Sequence, residues 1–399
     1  MKKISFKIIF IVTIFILLFS TIYLLYNQYA PQDNNISYDD LSSDQLINSA
    51  IMAGNYLVNA TNNQGVFAYE YNALEDLVDN SNYNLLRHAG TVYSMLQLYN
   101  NSNDKKLFSM SEKALDFLLL FIKPYDNASC IVNNDDEIKL GGNALTIIAL
   151  VEYTKITGDN KHLQTIQSLA KYIKQSQSES GEFLCKRYYS TRINSDFVSQ
   201  YYPGEALLAL CRLYDLDGNE TWLNIAEKGA KYLILIRDAK YSTNDLVHDH
   251  WLLMALNELY RDRNNPLYYN QSIRIAESIM NKQRDGENII TEDPNWLGSY
   301  YTPPRSTPTA TRSEGLIAAY RLARDFGNDT IAEKILKAIS LGIKFQLQTQ
   351  FKSEDVEDLP NPQQAIGGFH SSLTDYNVRI DYVQHNISSI LGYYYIITE

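Results

Sequence analysis

Two matching stretches decide the predicted fold: PGEALLALCRLY at residues 203–214 and RSEGLIAAYRLA at residues 312–323. Glu205 aligns with Glu314, and an arginine followed by a leucine recurs later in both stretches. Similar stretches, with Ala, Leu and small residues over most of the helix surface, begin near residues 89, 142, 250 and 385. Self-similar segments indicate a repeat architecture, and a helix that is apolar nearly all round is buried. The sequence therefore predicts a set of buried helices with one design.

A second kind of helix alternates with the buried kind. Residues 163–177, 222–237 and 331–350 carry apolar side chains at i, i+3, i+4 and i+7, which indicates one buried and one wet face. Helix starts are predicted near residues 43, 84, 106, 141, 160, 202, 219, 248, 267, 311, 329 and 381. An open solenoid would show shorter and more regular repeats. The alternation predicts an all-α fold, an (α/α)6 barrel of two concentric helix rings over residues 43–399.

The N-terminus carries a targeting signal. Lys2, Lys3 and Lys7 precede an uncharged apolar run over residues 8–26, and about 19 helical residues span the hydrocarbon core of a bilayer. We expect a transmembrane anchor in residues 1–28, with a cytoplasmic N-terminus and an extracytoplasmic bulk, and a polar linker over residues 29–42. A cleaved signal peptide is the alternative, but the run is long for one.

Charge and cysteine content exclude several kinds of partner. The net charge is -11 and no Lys/Arg-rich block follows the N-terminus, so we expect no nucleic acid partner, because its binding depends on phosphate neutralisation. Cys130, Cys185 and Cys211 show no CxxC spacing, so neither a metal site nor a cofactor is predicted, although the histidines leave metal binding open. Whether Cys130 pairs with Cys185 stays open.

Loop lengths distinguish the two ends of the predicted ring. Connections from a buried helix to the next amphipathic helix are short, whereas the return connections are long. The long ones cover roughly residues 61–83, 123–140, 178–201, 238–247, 283–310 and 351–380. Long loops usually carry function, so the functional face should hold the N-termini of the buried helices.

Polar side chains cluster at that same end. The starts of the buried helices hold Arg87, His88, Asn143, Tyr201, Tyr202, Glu205, Asp249, His250, Trp251, Arg312, Glu314, Asp381, Gln384, His385 and Asn386. Buried charges are costly unless paired, so a core alone does not need them. Glu205 and Glu314 could instead stabilise their helix N-termini. Glu70 and Arg379 lie in the adjoining loops.

These residues suggest acid–base chemistry on a sugar. Glycoside hydrolysis needs two carboxyl groups, and the candidates are Glu205, Asp249, Glu314 and Asp381. His88, His250 and His385 offer an alternative, because two histidines across a ring could remove and return a proton at a sugar carbon. Arginines that could clamp a uronic carboxylate are Arg87, Arg312 and Arg379. Further substrate-binding candidates are Tyr201, Tyr202, Trp251, Asn386 and Glu70.

Residues 41–399 resemble the six-hairpin glycosidase-like group, and are similar in kind to the C-terminal toroid of D-glucuronyl C5-epimerases. The resemblance rests on the hairpin count, on Gly-x-Phe turns such as Gly65-Val66-Phe67, and on YYPGE at 201–205 and DYVQHN at 381–386. It is architectural, so no catalytic role carries over. It implies a carbohydrate-active enzyme, and together with the anchor predicted from residues 1–28 we expect a membrane-anchored enzyme that acts on surface or extracellular polysaccharide. Hydrolysis is the first expectation, uronosyl C5-epimerisation or lyase chemistry the second, and a non-catalytic glycan-binding envelope protein the third.

Overall fold

Two kinds of helix alternate along the chain in a computed structural model that describes residues 41–291 and 293–399. The outer, amphipathic helices are α1 (Ser43–Ala60), α3 (Lys105–Leu119), α5 (Leu163–Gln175), α7 (Glu220–Tyr232), α9 (Pro266–Met280) and α11 (Asp329–Leu347). The inner, buried helices are α2 (Leu85–Ser102), α4 (Leu140–Thr157), α6 (Tyr202–Asp217), α8 (His250–Arg263), α10 (Ser306–Asp325) and α13 (Ile380–Thr398). A short helix, α12 (Pro362–Ala365), precedes the last one.

The inner helices form a closed ring. Each packs against the next in the order α2, α4, α6, α8, α10 and α13, and α13 returns to pack against α2. The predicted (α/α)6 toroid is therefore confirmed. The largest difference concerns α10, which begins at Ser306 rather than near residue 311. Pro308 lies in its first turn, where the missing N–H of proline would have had no helical partner.

The all-α prediction is incomplete, because short strands form in the long loops. They are β1 (Glu70–Asn72), β2 (Leu77–Asp79), β3 (Ile122–Tyr125), β4 (Ala128–Ile131), β5 (Glu137–Lys139), β6 (Lys186–Tyr188), β7 (His370–Ser372) and β8 (Asp375–Arg379). Strands of three to five residues are too short to show an alternating pattern. The sheet β2-β1-β8-β7 joins the first long loop to the last, and its register pairs Glu70 with Arg379.

Glycine turns fold the long loops back over the ring. Gly65, after α1, has a φ of 81°, and a Cβ there would lie 2.0 Å from the carbonyl oxygen of Lys113. Gly367, after α11, has a φ of 85°, and its Cβ would lie 2.2 Å from the carbonyl oxygen of Met52. Only glycine fits both the dihedral and the close approach. The loops thereby bring β1 and β8 to the start of α13.

The opposite end of the ring is closed by tight connections. Four inner helices end in a left-handed residue: Asn103, Gly158, Gly218 and Asn264. In each case the next residue accepts a backbone N–H hydrogen bond at the start of the following helix: Asp104, Asp159, Asn219 and Asn265. This pairing of stop and N-cap signals explains why the sequence predicted the short loops well.

The predicted membrane anchor and the cysteine pairing concern other parts of the chain. Residues 1–28, the predicted anchor, and most of the predicted linker lie outside the described residues. Across 41–291 and 293–399, no helix combines the length and the apolar character that a membrane crossing needs. Cys130 and Cys185, whose pairing was open, are both free and buried, as is Cys211.

Candidate functional site

A cavity of about 310 Å³ opens at the N-terminal end of the inner helices. Nine of the predicted site residues line it: Arg87, Tyr201, Tyr202, Glu205, His250, Trp251, Arg312, Asp381 and His385. Glu314 lies directly behind the two histidines. Thr307, Pro308 and Thr311 also line the cavity. The sequence did not indicate these three, because α10 begins earlier than predicted.

Two histidines and a glutamate meet at the inner wall of this cavity. His385 Nδ1 lies 2.8 Å from Glu314 Oε2, and His250 Nε2 lies 3.6 Å from the same oxygen. The two imidazole rings are 5.2 Å apart between centroids and nearly perpendicular, at 81°. Because α8, α10 and α13 each supply one residue, three packed helices fix the arrangement. Both ring nitrogens of His250 are buried and have no hydrogen-bond partner among the described residues, although the residue lines the cavity.

The surroundings push the pKa values of the two histidines in opposite directions. Burial opposes a charge on His385, but the charge and the hydrogen bond of Glu314 outweigh it and raise its pKa. Burial lowers the pKa of His250 well below its usual range, and the charges of His385 and Arg312 add to this effect. The surroundings thus favour the imidazolium form of His385 and the neutral form of His250, which is the pattern of an acid and a base.

The same three residues could also bind a metal ion. One ligand atom each from His250, Glu314 and His385 lies within 4.8 Å of the others. Two imidazoles and a carboxylate form a ligand set that suits zinc and other divalent transition metals. The sequence had predicted no metal site, because it did not show that these helices converge. The cluster can therefore carry protons or hold a cation, and the experiments below separate the two roles.

Asp381 is held by two arginines. Arg379 Nε and Nη2 donate to its two carboxylate oxygens at 2.6 and 3.0 Å, and Arg87 Nε lies 3.1 Å from Oδ2. Burial alone would raise the pKa of Asp381, but the two arginines hold it below its usual range. Arg87 Nη1 also donates to the Tyr69 hydroxyl at 2.5 Å. This network orders the cavity rim, and it leaves Asp381 ionised with both of its carboxylate oxygens bonded to arginine.

Glu205 and Asp249 form a second acidic pair with different properties. Asp249 Oδ1 caps α8 by accepting from Leu252 N at 3.1 Å, whereas its Oδ2 and Glu205 Oε2 have no partner among the described residues. Burial raises the pKa of Asp249 to about 7. Burial, followed by the charge of Asp249, raises the pKa of Glu205 well above its usual range. The surroundings therefore favour the protonated, neutral form of Glu205, which lines the cavity.

The remaining predicted site residues serve the scaffold. His88 Nδ1 lies 2.7 Å from the Tyr83 hydroxyl and its Nε2 lies 2.8 Å from the Ala114 carbonyl oxygen, and burial lowers its pKa to about 4. It is neutral and fully bonded behind the cavity. Asn386 donates to Ser306 Oγ at 2.9 Å and thereby ties α13 to α10. Glu70 lies 4.0 Å from Arg379 on the neighbouring strand.

The chain shares its architecture with several solved proteins. No family model matches the chain, and no curated protein matches it. A solved D-mannose isomerase aligns at a TM-score of 0.68 with 14% identity, over 91% of this chain and 100% of that one. A cellobiose 2-epimerase from Spirochaeta thermophila aligns at 0.67 with 12% identity, over 92% and 100%. An α-1,6-mannanase from Salegentibacter aligns at 0.62 with 13% identity, over 89% and 100%.

The ring and its polar mouth define an (α/α)6 toroid, and the predicted resemblance is confirmed at the level of the fold. The identities of 12 to 14% are too low to carry a residue's role from these proteins to this chain. The reaction that this chain catalyses therefore depends on the residues of its own cavity.

Proposed function

We propose that this protein is a sugar epimerase or isomerase that moves a proton at the carbon next to a sugar carbonyl. The observation that carries the proposal is the His250–His385 pair, 5.2 Å apart between ring centroids and with pKa values shifted in opposite directions. A base needs a neutral imidazole and an acid needs a protonated one. In this pair the surroundings favour the neutral form of His250 and the protonated form of His385, and both residues line the same cavity.

The reaction step balances with these residues alone. Neutral His250 takes the proton from the carbon next to the carbonyl of an open-chain sugar, and the C–H electron pair forms an enediolate. Imidazolium His385 gives its proton to the oxygen of the enediolate, which yields an enediol, and Glu314, 2.8 Å from His385, stabilises the imidazolium charge. After rotation of the enediol exposes the opposite face of the same carbon to His250, return of the carbon-bound proton from His250 and of the hydroxyl proton to His385 gives the epimer. Return of the proton from His250 to the former carbonyl carbon, with loss of the other hydroxyl proton to His385, gives the aldose–ketose isomer. In both cases each histidine regains its starting protonation state.

Two observations support a sugar substrate. A cavity of about 310 Å³ is at the small end of ligand pockets, which suits one sugar unit. Solved proteins with this fold include the D-mannose isomerase and the cellobiose 2-epimerase. Aromatic side chains beside the histidines, Tyr201 and Trp251, offer faces against which a sugar ring can pack.

Glycoside hydrolysis is the second candidate, and Glu205 favours it. A buried neutral carboxylic acid at the cavity is the general acid that hydrolysis requires, and the Salegentibacter mannanase shares the fold. A second, free carboxylate at the cavity is harder to find, because Asp249, whose Oδ2 has no partner among the described residues, is not among the residues that line the cavity. Both oxygens of Asp381 are bonded to Arg379, and Glu314 is bonded to His385. The sequence favoured hydrolysis, but the geometry favours proton transfer by the histidines.

We further propose that the enzyme is anchored in the membrane and acts outside the cytoplasm on surface or extracellular carbohydrate. This part rests on the basic and apolar residues 1–28 alone. A reporter fused after residue 399 would be active only in its extracytoplasmic form if the orientation is right. A reporter that works only in the cytoplasm would overturn it.

The chemistry can be tested with the full chain in detergent. The protein is incubated in deuterated water with D-mannose, D-glucose, cellobiose and uronic acid disaccharides, and products are followed by NMR. We expect deuterium at the carbon next to the carbonyl without new reducing ends, and loss of this signal in His250→Asn and His385→Asn. New reducing ends that disappear in Glu205→Gln would establish a hydrolase instead. Activity that a chelator abolishes and zinc restores would assign the cluster to a metal.

A further inference from the structure

Arg312 is a buried cation whose hydrogen bonds all go to neutral groups. Its Nε donates to His248 Nδ1 at 3.0 Å, its Nη1 to the Pro308 carbonyl oxygen at 2.8 Å, and its Nη2 to the Tyr301 hydroxyl at 2.7 Å. The residue is only 8% exposed. Among the described residues no carboxylate lies within ion-pair distance of it. A buried charge is costly unless it is paired, so this cation lacks an anion.

The other two candidate arginines are already paired. Arg87 and Arg379 share the carboxylate of Asp381, so their charges are largely compensated. The sequence offered all three arginines as carboxylate clamps and could not choose between them. The structure separates them, because Arg312 is on α10, away from that network. A guanidinium has five N–H donors, and three of those of Arg312 are used. Two remain, on different nitrogens, which allows a two-point contact with an oxyanion.

The neighbouring histidine does not compensate the charge of Arg312. His248 accepts from Arg312 at Nδ1 and lies 3.0 Å from Ser278 Oγ at Nε2, so it is neutral. Burial and the charge of Arg312 lower its pKa to about 3. Lys282 lines the same side. The one carboxylate there among the described residues, Asp245, accepts from Ser242 Oγ at 2.6 Å.

Two cavities meet at Arg312. The catalytic cavity lies on one side, and an adjoining pocket of about 410 Å³ lies on the other. Tyr201, Tyr301 and Arg312 line both. The Arg312 guanidinium carbon lies 4.7 Å from the ring centre of Tyr300 and 4.9 Å from that of Tyr301. Aromatic faces next to a cation suit a sugar ring that carries a negative group.

We propose that Arg312 binds an oxyanion on a second sugar unit in the adjoining pocket while the first unit reaches the histidines. The substrate is then an acidic oligosaccharide of at least two units. The anion is a carboxylate, or a phosphate or sulfate ester with the same bidentate chemistry. This inference rests on the proposed function only in naming the reacting unit, since the anion site is built from residues outside the histidine pair.

Binding can be measured without turnover in a His250→Asn background. Calorimetry is run with four probes: cellobiose, the uronic acid disaccharide of the same linkage, cellobiose 6-phosphate and cellobiose 6-sulfate, the acidic groups being on the non-reducing unit. We expect at least one acidic probe to bind about 10- to 100-fold more tightly than cellobiose, the range of hydrogen bonds to charged groups. The preferred acidic probe identifies the source of the anion.

Matched variants test whether Arg312 is the source of the acidic preference. Arg312→Gln should remove the preference for acidic probes and leave cellobiose binding within about twofold, and Arg312→Lys should retain part of that preference. Arg321 lies on the same helix at the other end of the ring, so Arg321→Gln should change neither affinity. If Arg312→Gln fails to fold, salt titration of the His250→Asn protein serves, since only the acidic probe should weaken as salt rises. Equal binding of all probes, or equal losses for all, would overturn the proposal.

The two proposals fail separately. Acid-selective binding that depends on Arg312, without deuterium incorporation into any sugar by the wild-type protein, would keep the anion site and sink the epimerase. Turnover of neutral sugars with no acidic preference would keep the enzyme and sink the anion site.

Discussion

The two ends of the ring hold cavities of similar size but different character. The back cavity, about 300 Å³ at the C-terminal end of the inner helices, is also lined by arginine, glutamate and tyrosine. There the half-buried Arg212 is compensated, because its Nε lies 3.2 Å from Glu258 Oε1 and its guanidinium lies over the ring of Tyr93. At the front, Arg312 has no such partner among the described residues. Residue types alone do not distinguish the two cavities, whereas uncompensated buried groups do.

The loops reinforce this difference. Left-handed residues such as Gly158 and Gly218 close the back end with tight turns. The front end carries the long loops and their short strands. Glu314 lines the back cavity and is bonded to His385 at the front. It therefore belongs to both regions, and it offers the sharpest test of the comparison.

The largest effect is expected from removing the charge of Glu314. Glu314→Gln should reduce turnover by about 10²- to 10⁴-fold, the range for loss of acid–base function, because His385 loses the carboxylate that raises its pKa. The alkaline limb of the pH–rate profile should move to lower pH, since His385 would deprotonate earlier. Steady-state kinetics over a pH series measures both.

Glu258→Gln is the control for that experiment. It makes the same chemical change in the back cavity and should leave turnover within about twofold. Comparable losses in both variants would mean that the two cavities are not functionally distinct.

Next in size is a contrast in stability between substitutions of the half-buried Arg212 and the buried Arg312. Arg212→Met should lower the free energy of unfolding by about 2 kcal/mol, because Glu258 loses its charged partner in a partly buried site. Arg312→Met should be neutral or stabilising, because it removes a buried and uncompensated charge. Urea denaturation of both variants measures the two changes in the free energy of unfolding. An Arg312→Met protein less stable than Arg212→Met would show that its neutral hydrogen bonds compensate the charge.

Two buried histidines at the front of the ring should lose their contribution to stability in acid. Burial lowers the pKa of His88 from 6.5 to about 4 and that of His248 to about 3. As pH falls below about 7, these two side chains bind protons in the unfolded chain but not in the folded protein, so their contribution to stability is lost, whereas Asp249, with its pKa raised to about 7, has the opposite effect. For His88 the loss between pH 7 and pH 5 is about 2 kcal/mol.

Thermal unfolding at pH 7 and pH 5 tests this. Asp249 is present in both proteins, so the comparison isolates His88: between pH 7 and pH 5 the change in the free energy of unfolding of His88→Gln should be about 2 kcal/mol more favourable than that of the wild-type protein. The variant will be less stable at pH 7, because two hydrogen bonds are disturbed, but only the slope matters. An unchanged slope would mean that His88 is not neutral in the folded protein.

The sequence predicted the scaffold better than the site, and particular residues show why. The helix starts at Asp104 and Asn219 could be predicted from local signals, because in each case a capping side chain follows a left-handed residue. Such signals depend only on a few neighbouring residues. The meeting of His250, Glu314 and His385 depends on three helices far apart in sequence, so only ring closure brings them together. The choice between Arg87 and Arg312 depended on Asp381, whose partner no local pattern could indicate.

The smallest effect tests how Arg312 is oriented. The Tyr301 hydroxyl accepts a hydrogen bond from Arg312 Nη2 at 2.7 Å, so Tyr301→Phe should leave the guanidinium in place but less well aligned. We expect about a fivefold weaker Kd for the preferred acidic disaccharide, which corresponds to one ordinary hydrogen bond, and no change for cellobiose. Tyr395→Phe removes a hydroxyl that accepts from Asn101 at the back of the ring and should change neither value. If Tyr301→Phe instead weakens both sugars equally, the tyrosine contributes its ring to sugar stacking rather than its hydroxyl to the arginine.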